Sequence, residues 1–205
     1  MIKIYLARHG QDEDNAKGIL NGRRDSPLTN LGVKQAGLLA EKIRDLNLGI
    51  KKVYSSPLQR AYKTAETVSD MLGLLKPEKL DISIERDFGN MTGKAVKDIE
   101  SLRAPNIIKS DPIVYFLCPD GAETFPELIE RAKKILILLN KENIEGPILL
   151  VTHGDIGKMI YAVFYKLDWK DVLTDFHFGN SEVLLLLKDS KPNERHVHKT
   201  EQFNH

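Results

Sequence analysis

A single cysteine, Cys118, stands in a sequence of 205 residues. That excludes an internal disulfide and any multi-cysteine metal site, and it fits a reducing compartment. Cys118 sits near none of the motifs below and reads as an ordinary packed or half-exposed thiol rather than a nucleophile. An excess of one charge is also missing. Lys and Arg total 30, Asp and Glu total 29, and the formal net charge is +1. With no basic surplus there is no electrostatic case for nucleic acid or a membrane surface as partner. An anionic ligand would have to be held by a few local cations. Long hydrophobic runs are absent too. No stretch approaches the ~20 apolar residues of a membrane span. The apolar start, Met1 to Ala7, is too short for a signal sequence and lacks a small-residue cleavage site, so a cytoplasmic protein is expected. There is no internal repeat, low-complexity tract or linker. Nothing in the sequence reads out an oligomeric state.

What is present is 41% hydrophobic residues, enough for one substantial core. One domain over residues 1–205 is the expectation at this length, with a variable, cap-like segment at about 86–122. Ile2 to Ala7 reads as a buried strand. Val33, Ala36, Leu39, Ala40 and Ile43 keep helical spacing, and Gly49 follows as a stop. Lys52 to Ser55 is a second strand. Ser56 as cap and Pro57 in first position start a helix that runs to about Leu72. Ile82 to Ile84 reads as a brief third strand. Residues 86–122 look irregular, with a short helix near Lys94 to Leu102. A long helix is predicted over Phe125 to Asn143. Ile148 to Thr152 is nearly continuous in apolar character, as a strand covered on both faces should be. Asp155 to Tyr165 reads as helix. Val183 to Leu187 reads as a strand paired with one near His196 to Thr200 across a turn at Ser190 to Asn193. Strands alternating with helices predict an α/β three-layer sandwich with a mostly parallel central sheet flanked by helices.

Such sheets bind ligands beyond the carboxyl ends of their strands. Arg8-His9-Gly10 follows the first predicted strand, Glu85 the third, and His153-Gly154 the strand at 148–152. Arg60 lies one turn into the helix after the second. Singly, each has a bland reading as a capped or solvated residue. Jointly they fall on one rim. Two histidines and two arginines suit a phosphate pocket, because the guanidinium fork pairs with phosphoryl oxygens. A neutral imidazole is a competent nucleophile, and neighbouring cations keep it neutral. Zinc is the competing reading of paired histidines. The spacing is far from His-x-x-x-His, the nearby acids Asp12, Glu13 and Asp155 complete no ligand pattern, and the arginines repel a metal.

The run Ala7-Arg8-His9-Gly10 with Asn15 downstream resembles the Arg-His-Gly signature of the histidine phosphatase superfamily, which includes cofactor-dependent phosphoglycerate mutases. Leu28-Thr29-x-Leu31-Gly32-x-x-Gln35-Ala36 resembles the segment opening that family's first helix. Ser55-Ser56-Pro57-Leu58-x-Arg60-Ala61-x-x-Thr64-Ala65 resembles its second arginine motif. Glu85-Arg86-Asp87-Phe88-Gly89, Gly121-Ala122-Glu123-Thr124 and Val151-Thr152-His153-Gly154 resemble its remaining motifs, in family order. The resemblance implies that His9 attacks phosphorus and that Arg8, Arg60 and His153 hold the phosphoryl oxygens. It implies a polar contact from Asn15, with Gly154 beside it in the substrate site. Glu85 would protonate the leaving alkoxide and then take a proton from water. No metal and no organic cofactor is implied. The partner would be a small phosphorylated substrate.

The departures from the family pattern carry their own expectations. Gln11-Asp12-Glu13-Asp14 reads as a solvated loop, or as altered substrate contacts. Asp155 reads as a helix cap or first-turn residue, with repulsion of a second substrate anion as the alternative. Arg23 and Arg24 read as a solvated pair or as a clamp for a second anion. His177, His196, His198 and His205 read as turn, strand and tail residues. Ala104 to Pro119, with Tyr115 and Phe116, is expected to roof the pocket. Segment 103–119 has no arginine pair and Asp87-Phe88 stands where mutases carry His-Tyr. A phosphatase is therefore expected, with mutase-type transfer as the alternative and a non-catalytic phosphate-binding module as a third reading.

Overall fold

Ile4–Arg8 forms the first strand, β1, in a computed structural model that describes residues 3–111, 113–118, 120–141, 144–175, 177–192 and 196–198. The chain continues through α1 (Glu13–Lys17), α2 (Asn30–Asp45), β2 (Lys52–Ser55), α3 (Gln59–Met71), β3 (Glu78–Lys79) and α4 (Ile99–Arg103). A hairpin follows, β4 (Ile107–Ser110) and β5 (Ile113–Phe116), then α5 (Phe125–Lys141), β6 (Ile148–Thr152), α6 (Gly154–Tyr165), α7 (Trp169–Asp175), β7 (Val183–Leu186) and β8 (His196–His198).

The main sheet has strand order β3-β2-β6-β1-β7-β8. The first four run parallel, whereas β7 is antiparallel to β1 and β8 is antiparallel to β7. This is the expected α/β sandwich. Alternate side chains of each strand serve opposite faces. Ile4, Leu6, Ile148 and Leu150 pack with Leu128 and Ala132 of α5 and Ile156 and Ile160 of α6. Tyr5, Ala7, Leu149 and Val151 pack with Leu39 and Ile43 of α2 and Ala65 and Val68 of α3. Every residue of β1 and β6 is buried, which explains why their sequences do not alternate.

Most predicted elements are present. Ile2, Asn143, Asn193 and Thr200 lie outside the described residues, as does His205. The brief strand predicted at Ile82 to Ile84 is instead a 3₁₀ turn over Asp81–Ser83. Ser83 explains it: its Oγ and its N–H both donate to the Leu80 carbonyl, at 2.7 and 2.8 Å, closing a turn where a ladder would need extended backbone. Ser56 does not cap α3. The helix starts at Gln59, and its N–H is taken at 2.7 Å by the distant Asp25 carboxylate. Near Lys94 to Leu102 a 3₁₀ turn, Val96–Asp98, leads into α4. The hairpin, α1 and α7 were not anticipated. Among the described residues no helix is long and apolar enough to cross a membrane.

Candidate active site

Strand register brings the two histidines together. Arg8 pairs with Thr152 across the parallel β1–β6 ladder, and the His9 N–H continues it to the Thr152 carbonyl at 3.0 Å. His9 and His153 are therefore the next residues on neighbouring strands. Their ring centroids are 5.0 Å apart, close to the spacing of the strands themselves. On the other side of β6, Ser55 pairs with Val151, so Ser56 emerges beside His153. Its Oγ lies 2.7 Å from His153 Nε2, which is where the hydroxyl predicted as a cap is used.

His9 has a defined tautomer. Its Nδ1 lies 2.7 Å from the Gly10 carbonyl, an oxygen that can only accept, so Nδ1 carries the proton and Nε2 keeps its lone pair. Arg60 Nε donates to that Nε2 at 3.2 Å. Burial, then Arg60, then Arg8, holds the His9 imidazole well below the usual histidine range. His153 is pushed the same way, by burial first and then by Arg60 and His9. Both rings are neutral at neutral pH. The loop that carries His9 touches the start of α2 through bare backbone. A Cβ on Gly10 would overlap the Gly32 carbonyl, and one on Gly32 would overlap that of Gln11.

Arg60 is fully buried, and its Nη2 donates to the Gly22 carbonyl at 2.8 Å. Arg8 Nη1 donates to the Phe178 carbonyl at 2.8 Å. The loop after Gly10 is solvated only in part, contrary to expectation: Glu13 is exposed and Gln11 half-buried. Asp12 is fully buried and Asp14 is buried. Asp12 Oδ1 caps α1 by accepting from the Asn15 N–H at 2.9 Å, and its Oδ2 lies 3.5 Å from Arg60 Nε. Asp14 accepts from Arg24 Nε at 2.9 Å. A tight turn next to two arginines gives these carboxylates partners that water would otherwise supply.

Glu85 sits at the N-terminus of α6. Its Oε1 accepts from the Arg86 and Ile156 N–H groups, at 2.8 and 3.1 Å, and its Oε2 from the Asp155 N–H at 3.3 Å. Burial, then the neighbouring Asp155 charge, raises the Glu85 carboxyl above the usual range, against the pull of those N–H groups and Arg60. Asp155 itself is in the first turn of α6, but it does not cap the helix: its carboxylate pairs with Arg86 Nε at 2.7 Å. The Arg86 guanidinium lies 4.3 to 4.9 Å from the ring centres of Phe116, Phe125 and Phe88. Behind Glu85, Arg131 Nη2 donates to the Glu85 carbonyl at 3.2 Å and to Glu123 Oε2 at 2.6 Å.

A cleft opens in front of His9, with about 410 Å³ of empty space including its mouth. Arg8, His9, Glu85 and Gly154 line it; Arg60 and His153 adjoin the His9 ring, Arg60 through its Nε at 3.2 Å from His9 Nε2 and His153 with its ring centre 5.0 Å away. Asn15 is buried, with its Oδ1 accepting from Asn180 Nδ2 at 3.3 Å. Arg23 and Arg24 do not line the cleft. Arg23 donates to Asp87 and Glu123, both at 3.3 Å, and Arg24 to Asp14. Lys158 and Phe178, which sequence reasoning passed over, complete the wall together with His177, read there as a turn residue. His177 is thus more than a turn residue. Of the expected roof, Tyr115 faces the cleft while Phe116 packs with Leu20, Phe88 and Ile99.

The chain belongs to the histidine phosphatase superfamily, branch 1, whose model matches residues 4–198. It is 38% identical over 187 residues to a Hydrogenobacter thermophilus protein named "Putative phosphoserine phosphatase 2", a match covering 89% of this chain and 88% of that one. A shorter match, 43% over 74 residues, covers 36% of this chain and 34% of "Probable phosphoglycerate mutase GpmB" of Yersinia pestis. The mycobacterial glucosyl-3-phosphoglycerate phosphatase solved with VO3 superposes with a TM-score of 0.78 at 23% identity, over 90% of this chain and 92% of that one, a likeness of fold.

Proposed function

We propose that this protein is a phosphomonoester hydrolase that acts on a small phosphorylated metabolite through a phosphohistidine at His9. The carrying observation is the state of His9: Nδ1 is protonated against Gly10, and Nε2 is the unprotonated nitrogen, its lone pair accepting from Arg60 Nε at 3.2 Å, a contact that an incoming phosphoryl group would take over. In the first step Nε2 attacks phosphorus, the P–O bond breaks, and Glu85 gives its proton to the departing oxygen. In the second, water attacks phosphorus, Glu85 takes a proton from it, and the P–N bond breaks to release phosphate. A phosphoryl group on Nε2 lands beside Arg60, with Arg8 at the cleft wall and His153 on the neighbouring strand. These cations and donors hold the oxygens as charge develops. Asn15 and Gly154 complete the substrate contacts in this reading. No metal or organic cofactor takes part.

The partial match to a mutase favours a second reading, transfer back to the substrate. The hydrolase reading is preferred because segment 103–119 offers few cations to an incoming phosphoester. Arg103 donates to the Cys118 carbonyl, and Lys109 pairs with Glu100. We also place the protein in the cytoplasm, in keeping with its single, exposed and free cysteine, and regard the chain as one domain whose β4–β5 hairpin caps the cleft.

The test is rapid quench with a radiolabelled aryl phosphate. Acid-labile, base-stable label on His9 is expected, and His9→Ala should abolish both label and turnover while keeping the fold. A His9→Ala variant with even about a tenth of the activity would overturn the assignment, since losing a nucleophile costs orders of magnitude.

A further inference from the structure

We propose that Asp12 is a positioning residue, the counter-ion of the phosphoenzyme: its buried carboxylate faces the positive charge that phosphorylation puts on the His9 ring, and it offers Arg60 Nε an acceptor when phosphorus takes the present one. This rests on the hydrolase reading above, in which His9 Nε2 is the nucleophile.

Asp12 is fully buried, and capping α1 does not account for its charge. The cap is made by Oδ1, accepting from the Asn15 N–H at 2.9 Å, and serine, threonine or asparagine would serve a helix start as well. A carboxylate inside a protein is costly without partners that favour its charge. Oδ2 accepts from Asn21 Nδ2 at 2.8 Å, and it lies 3.5 Å from Arg60 Nε and 3.8 Å from His9 Nδ1. Burial raises the Asp12 carboxyl above its usual range, while Arg60, the Asn15 N–H, Arg8 and Asn21 favour the ionised form. In the resting protein the His9 ring is neutral, so the approach of Oδ2 to Nδ1 gains little there.

Phosphorylation changes both of these neighbours. Nε2 forms the P–N bond with its lone pair as the P–O bond breaks. Nδ1 keeps its proton against the Gly10 carbonyl, 2.7 Å away, so the ring becomes cationic. Arg60 Nε, which donates to Nε2 at 3.2 Å, loses that acceptor in the same event. Its Nη1 and Nη2 stay anchored on the carbonyls of Arg24 and Gly22, at 2.6 and 2.8 Å, which holds Nε near Oδ2. Hydrolysis undoes each change: the P–N bond breaks, its electron pair returns to Nε2, and the ring is neutral again. An acid in this place stabilises the phosphoenzyme more than the states on either side of it.

Asp12→Asn keeps the cap and removes the charge. The experiment follows both steps with radiolabelled p-nitrophenyl phosphate. Pre-steady-state release of p-nitrophenolate reads phosphorylation, and loss of acid-labile label after a chase reads hydrolysis. Phosphorylation should slow and hydrolysis should quicken, the two changes multiplying to about 10–100-fold, the worth of one charged contact. Inorganic phosphate, bound before any bond to Nε2 exists, should inhibit the variant at least as well as the parent within about threefold, because an acid beside the site does not attract an anion. Should Asp12→Asn not fold, Asp12→Ser, which also caps a helix without charge, should show the same opposed changes. Two steps slowed alike, or weakened phosphate binding, would make Asp12 a packing residue, and two steps unchanged would leave its charge without a role; each overturns the proposal. Absence of any label on His9 in the parent protein would instead overturn the hydrolase reading, and the role of Asp12 with it.

Discussion

The backbone N–H of Asp155 donates to Glu85 Oε2 at 3.3 Å, while the Asp155 carboxylate turns to Arg86 Nε at 2.7 Å. One residue thus anchors the proposed acid through its main chain and raises its pKa through its side chain. The two effects are separable, because asparagine keeps the N–H and loses the charge.

Asp155→Asn should therefore lower the Glu85 pKa. Glu85 must be protonated for the first step, so activity is lost as pH rises through that pKa. The alkaline limb of kcat/KM for an alkyl phosphate should move to lower pH. The acid limb reports His9, which must be neutral and whose pKa lies below the usual range for reasons that do not include Asp155. It should stay in place. A profile measured from pH 4 to 9 that shows no movement of the alkaline limb would remove Asp155 from the proton chemistry.

Glu85→Gln keeps the shape and cannot deliver a proton. Phosphorylation of His9 from an alkyl phosphate should slow by roughly 10²–10⁴-fold. An aryl phosphate, whose phenolate leaves unaided, should be affected far less, and phosphoenzyme should accumulate because water still needs a base. Equal slowing for both leaving groups would mean that Glu85 only shapes the cleft.

Arg131 should act through Glu85 rather than on the substrate. It holds the Glu85 carbonyl, and with Glu123 it forms a pair whose side chains are each 13% exposed. Arg131→Met should cost about 2–3 kcal/mol of stability in urea unfolding, as loss of charged hydrogen bonds does. It should lower kcat for alkyl phosphates more than for aryl phosphates, with KM little changed. A uniform loss for both substrates would make the role purely structural.

Activity should persist in excess EDTA. Both histidines are flanked by Arg8 and Arg60, and His9 has both ring nitrogens within hydrogen-bond reach of protein partners. Loss of turnover with chelator, restored by a divalent cation, would point to metal-assisted hydrolysis.

Much of the proposed catalytic group was legible because a parallel sheet delivers whatever follows its strands to one rim, and Arg8, His9 and His153 follow strands. Glu85 was found for a partly wrong reason. No strand leads directly into it; a 3₁₀ turn after β3 does, tied to β6 by the Thr152 hydroxyl donating to the Ser83 carbonyl at 2.7 Å. The buried acids at Asp12 and Asp14 were not legible, because four polar residues in a row look solvated until Arg60 and Arg24 arrive from elsewhere in the chain. Ser56 sits before a proline as a cap would, and only its neighbour across the sheet shows otherwise. Lys158 did leave a signal, one lysine among Ile156, Met159 and Ile160. A charge inside an apolar helix is a question that periodicity raises and only tertiary contacts answer.

The β1–β6 register also has a consequence for how such a protein can change. His9 and His153 are fixed by adjacent strand pairing and by a backbone contact between Gly10 and Gly32, none of which involves the β4–β5 hairpin. That hairpin brings Ile113 and Tyr115 to the cleft as an excursion between α4 and α5. Its own pairing is separate from the ladder that sets the distance between the two histidines. The pairing that fixes the two histidines and the hairpin that brings Ile113 and Tyr115 to the cleft thus lie in separate stretches of chain.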